Sequence, residues 1–137
     1  MTINGARYDN AGPATFTLSS TEASSVTTNP ITFLYHFSVS ATGATAVVIN
    51  SAWSPFNFQV RDALNNLFTG AISSLSWQVV NRTTAAVVQS STAAFSGGTA
   101  QVTPSPIGTA GGYRLEGTFA TPAHTPTTVT IDIDVIS

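Results

Sequence analysis

Residues 110–119 read AGGYRLEGTF, and their alternation decides the fold class. Tyr113, Leu115 and Phe119 fall on one side, with Gly117 between them. Arg114, Glu116 and Thr118 fall on the other. A period of two is the signature of a strand with one buried face. Gly111 and Gly112 read as the turn that enters it.

The same alternation recurs along the chain. ATFTLSS (14–20) sets Phe16 and Leu18 together, and ITFLYHFSV (31–39) aligns Ile31, Phe33, Tyr35, Phe37 and Val39. TAVVIN (45–50) follows, then FNFQVR (56–61) with Phe56, Phe58 and Val60, and LSWQVVN (75–81) with Leu75, Trp77 and Val79. Weaker runs occupy 84–90, 92–96 and 99–103, and TVTIDIDVI (128–136) aligns Val129, Ile131, Ile133 and Val135. Asn29-Pro30, Ser54-Pro55, Gly97-Gly98, Pro104, Pro106, Pro122 and Pro126 punctuate them as turn-formers. Many short strands at this spacing predict an all-β fold, an antiparallel sandwich or barrel. VRDALNNLF (60–68) also fits helical spacing and is the one place where a short helical turn competes.

The chain has 137 residues and no cysteine, so it builds its core without disulfides or thiolate metal sites. Charged residues make up 7%, against about 25% in an average soluble domain. The cations are Arg7, Arg61, Arg82 and Arg114, with no lysine, and the net charge is -2. That composition offers no basic footprint for nucleic acid. Polarity comes instead from 22 Thr and 16 Ser, a neutral surface suited to packing against other protein. No apolar run approaches the roughly 20 residues that span a bilayer. The opening residues show no basic segment followed by an apolar one, so no export signal is expected.

Several segments resemble the bacterial immunoglobulin-like domains of the invasin and intimin type. FQVRDALNNLFTG carries the family's Asp-Ala-x-Gly-Asn-like turn at Asp62, Ala63 and Asn65-Asn66, with an asparagine where a glycine is usual. SWQVVN carries its inward aromatic at Trp77; Gly98–Val102 matches its Gly-x-Ala strand and Ala110–Tyr113 its Ala-Gly-x-Tyr opening. The resemblance implies an immunoglobulin-like antiparallel β-sandwich of about 7–9 strands over residues 14–137, preceded by an arm over 1–13. In such a sandwich Trp77, Phe33, Phe37 and Leu115 share one core, and the Tyr113 hydroxyl bonds back to the chain just upstream.

Catalysis is not expected. His36 and His124 are the only ready bases; one lies opposite Phe33 and Tyr35, the other in a proline-flanked loop, and no serine stands in a nucleophile elbow. Asp132 and Asp134 project from one strand face about 7 Å apart, but calcium needs about six oxygens, so a solvated face with Arg114 or Glu116 across from it is expected rather than a metal site. Asn81-Arg82-Thr83 forms a glycosylation acceptor pattern, idle without a secretory route. Phe56 and Phe58 alternate like core residues and leave Trp53 as the exposed ring of that stretch, a candidate sugar-binding contact set against core or interface packing as the plainer reading. Arg7 and Tyr8 are candidates to reach a neighbouring subunit, with an ordinary mobile tail as the alternative. Together these expectations describe a non-enzymatic assembly protein without cofactors. It is read as a phage virion component, a capsid decoration or head-fibre protein, that forms a homo-oligomer and docks on a protein lattice, with no nucleic acid or membrane partner. The alternative is an extracellular or cell-surface adhesion module that binds glycan.

Overall fold

The computed structural model describes residues 12–14, 17–18, 26–27, 31–33, 37–121 and 124–137. The chain divides into two compact units, Met1–His36 and Phe37–Ser137. In the first, β1 (Gly12–Ala14) pairs antiparallel with β4 (Ile31–Phe33), and β2 (Thr17–Leu18) with β3 (Val26–Thr27). ATFTLSS thus contributes to two short strands instead of one.

The second unit is an immunoglobulin-like sandwich, as the resemblance implies. One sheet has three strands in the order β10 (Thr99–Val102), β7 (Phe56–Arg61), β5 (Ser38–Thr42). The other has five, in the order β6 (Ala46–Val48), β12 (His124–Ile136), β11 (Gly111–Thr121), β8 (Leu75–Asn81), β9 (Val87–Ala93). All pairings are antiparallel except β6 with β12, which is parallel. The chain changes sheets between β5 and β6 at Gly43, where a Cβ would collide with the Phe56 ring.

The inner rows are those read from the sequence. Phe56, Phe58 and Val60 on β7 are fully buried, facing Leu75 and Val79 on β8, Tyr113, Leu115 and Phe119 on β11, and Ile133 and Val135 on β12. Burying each such side chain stabilises by about 1.5–3 kcal/mol. Gly117 interrupts the inner row of β11 for a packing reason. A Cβ there would stand 2.5 Å from Phe58 Cε1 and 2.9 Å from Leu75 Cδ1, so its absence makes the socket into which Phe58 of the facing sheet inserts.

Several expectations need correction. The run 31–39 is not one strand: β4 pairs with β1 and β5 with β7, in different units. The runs 84–90 and 92–96 are largely one strand, β9, and the last strand begins at His124. No helical turn forms over 60–68. Arg61 bridges Leu67, Asp62 Oδ1 accepts from the amides of Leu64 (2.9 Å) and Asn66 (3.0 Å), and Asn65 takes a left-handed φ of 65°. The aspartate's own hydrogen bonds outcompete helix here. Gly111 and Gly112 already belong to β11; the corner lies before them, at Ile107–Ala110.

Trp77 is half-buried at the margin of the core, not at its centre. It stands opposite Gly117, and Phe58 has taken the space above that glycine. Phe37 likewise packs partly buried against the core while Leu115 is fully buried, and the Phe33 side chain lies outside the described residues.

Candidate assembly surface

The pairing of β8, β11 and β12 places their outward residues in rungs across the five-stranded sheet. At one end the hydroxyls of Thr118 and Thr128 share a hydrogen bond of 2.7 Å. On the next rung Gln78 Nε2 donates to Glu116 Oε2 at 2.7 Å. Arg114 Nε then meets Asp132 Oδ1 at 2.8 Å, and Arg82 reaches both Asp132 Oδ2, at 3.5 Å, and Asp134. Arg82 lies just past β8, and its guanidinium rests over Gly112, where a Cβ would stand 2.6 Å from Nη2. The second glycine of the AGGY stretch therefore makes a bed for an arginine. The hydrogen bond from Arg114 holds the Asp132 carboxyl below the usual carboxylate range, and the same bond raises the Arg114 guanidinium.

This ladder gathers five of the seven described charged residues on or beside central strands. The other two, Arg61 and Asp62, end β7 and its turn, where Arg61 donates to the Asn65 carbonyl at 2.9 Å and to Gln59 Oε1 at 3.2 Å.

The edges are the inverse. The four edge strands of the sandwich read SVSAT (β5), AVV (β6), VVQSSTA (β9) and TAQV (β10), and none carries a charge. Soluble monomers ordinarily place charge, above all lysine, on such edges to prevent pairing with another chain. The longest, β9, exposes Val87 and Val88 (52% and 46%). Its inner side is fastened: Gln89 Nε2 donates to the Ser105 carbonyl and Gln89 Oε1 accepts from the Ser105 amide, both at 2.8 Å. A bulge lies opposite Val79 and Val80, leaving Gln89–Ala93 as its regular stretch.

The candidate residues from the sequence fall elsewhere. Trp53, expected exposed, is only 5% exposed and belongs to the core. A turn at Val48–Ser51, with Asn50 in a left-handed φ of 57° and its amide bonded to the Ile107 carbonyl at 2.9 Å, folds the segment back over the sandwich. The indole then lies against Phe56, ring centroids 5.9 Å apart. Among the described residues its buried Nε1–H has no hydrogen-bond partner. Burial of the large apolar ring wins over that penalty of about 1–3 kcal/mol.

Arg7, Tyr8 and His36 lie outside the described residues, as does the side chain of His124. Asp132 faces Arg114 across the strands, as expected. The reach of Arg82 from the β8–β9 turn to both aspartates has no signal in local sequence. Asn81-Arg82-Thr83 opens that turn, with Asn81 Oδ1 accepting from the amides of Thr83 (2.9 Å) and Thr84 (3.1 Å). Among the described residues, no three His, Cys, Asp or Glu side chains form a group able to hold a metal ion.

No protein-family model matches the chain, and no curated protein sequence matches it. Among solved structures, the crystal structure of domains 4 and 5 of the S-layer protein SbsC is similar, with a TM-score of 0.44 and 17% identity. The match covers 93% of this chain and 59% of that one.

Proposed function

We propose that the chain is a non-enzymatic structural module that docks on a protein lattice through its sheet edges, as a virion component of the capsid-decoration or head-fibre kind. The observation that carries this reading is the placement of charge. Described charges lie on or beside central strands, mostly tied into one ladder, while all four edges are neutral. Such edges favour strand addition by another chain, in which main-chain hydrogen bonds supply affinity. The resemblance of Asp62–Asn66, Gly98–Val102 and Ala110–Tyr113 to bacterial immunoglobulin-like domains agrees with a binding module. The carbohydrate-binding form of the alternative leaned on an exposed Trp53, and burial of that ring removes this contact.

The test is co-pelleting of the purified full chain with phage heads, intact and stripped of accessory proteins. Saturable binding to stripped heads is the expected result. A chain that never pellets with heads yet gives a specific signal on a glycan array belongs to the adhesion class instead.

A further inference from the structure

We infer that β9 is a self-pairing seam: β9 of one copy adds antiparallel to β9 of a second copy about a twofold axis, joining two five-stranded sheets into one of ten strands. The inference rests on the reading of this chain as an assembly module and names the partner of its longest edge.

Backbone geometry restricts the occupant of a free edge to another strand. Chemistry then favours a second copy. An isologous contact places each patch against itself, so any charge on it meets its like. VVQSSTA has none. Centred on Ser91, the regular stretch Gln89–Ala93 lies fully opposed to itself, with Ser90 of one copy facing Thr92 of the other. Ser90, Ser91 and Thr92 are all exposed, and the sheet already uses a hydroxyl pair across strands at Thr118 and Thr128. Gln89 does not obstruct the approach, because Ser105 holds its side chain at both ends.

The described fixed charges stand well away from the seam. Glu116 is on β11, two strands in from β9, so two copies hold these carboxylates five strand spacings apart, roughly 24 Å. That is more than twice the screening length of about 10 Å at 0.1 M salt. Arg82 lies beside the β8–β9 turn, and the twofold sends its two copies to opposite ends. A five-residue seam falls short of the roughly 1,000 Å² of a stable interface. The solution dimer is therefore weak, and the seam gains strength where many copies are held side by side.

The test is sedimentation equilibrium of the full chain from about 10 μM to about 1 mM, the range that brackets weak association. The average mass of the wild type is expected to climb from one copy towards two. The double variant Ser90→Lys/Thr92→Lys sets lysines against each other across the seam and is expected to associate at least tenfold more weakly. Val48→Lys, on the opposite edge β6, should behave as wild type. All three positions are exposed, and thermal melts check that each variant folds. As a measurement independent of variants, hydrogen exchange of wild-type β9 amides should slow as concentration rises. A wild type that remains a single copy at about 1 mM, a lysine pair without effect, or exchange in β9 indifferent to concentration each overturns the seam. Co-pelleting with phage heads separates the two ideas: a strict monomer that still pellets removes the seam and keeps lattice docking, and a β9 dimer that never pellets does the reverse.

Discussion

Tyr113 shows how one side chain fastens a corner. Its ring is buried at 2% exposure, and its hydroxyl donates to the Thr109 carbonyl at 3.0 Å, four residues upstream. Tyr113→Phe keeps the ring and removes only that bond. The expected loss is about 1 kcal/mol, read from denaturant melts. This tie was legible in the sequence, because a tyrosine at the start of a penultimate sandwich strand has that reach. Asp132 supplies a pH-dependent contact of a different kind. Its carboxyl titrates lower in the fold than in the unfolded chain, chiefly through the hydrogen bond from Arg114. The contribution is fully present above the unfolded value of about 3.9 and is lost as pH falls through the lower folded value. Thermal midpoints should therefore drop on acidification below about pH 4, and Asp132→Asn should flatten that region of the profile.

The elements show where periodicity informs and where it stops. Alternation located the inner rows of β7, β8, β11 and β12, because a face in water and a face in the core impose opposite chemistry on neighbours. It could not say which large residue sits at the centre. That depends on where the facing sheet leaves room, and the room is above Gly117. Gly117→Ala should cost about 1–3 kcal/mol by forcing Phe58 and Leu75 apart, measured by the same melts. A neutral result would mean that Phe58 does not occupy the socket. The helical spacing of 60–68, a competing alternative in the sequence, does not prevail for a local reason: Asp62 satisfies the amides of Leu64 and Asn66 from its own side chain, and that competition is invisible to a hydrophobic period. Trp53 misled for a tertiary one, since its burial follows from a turn at Asn50 bonded to a residue 57 positions later.

Across the whole molecule, composition gave the scarcity of charge but not its arrangement. Four arginines and six acids can lie anywhere on a sandwich; only the strand order reveals that the ladder occupies central strands and leaves the edges bare. The strand order also governs how the sandwich meets tension. β6 lies near its start, β12 ends it, and the two run parallel, linked through the Asp134 amide to Thr45 and the Ile49 amide to Ile136, both at 2.8 Å. Pulling Phe37 and Ser137 apart first peels β5 from β7, because β5 takes the strain at its free end. The pull then passes to β6 and β12, which are dragged lengthwise past each other. Bonds strained in that direction must give way together, whereas those of an antiparallel hairpin opened from its ends break singly, in succession. Resistance to forced unfolding is set by the height of that barrier. The few residues of β6 thus act as a shear clamp for the entire sandwich, a property that matters to any subunit stretched between two attachments.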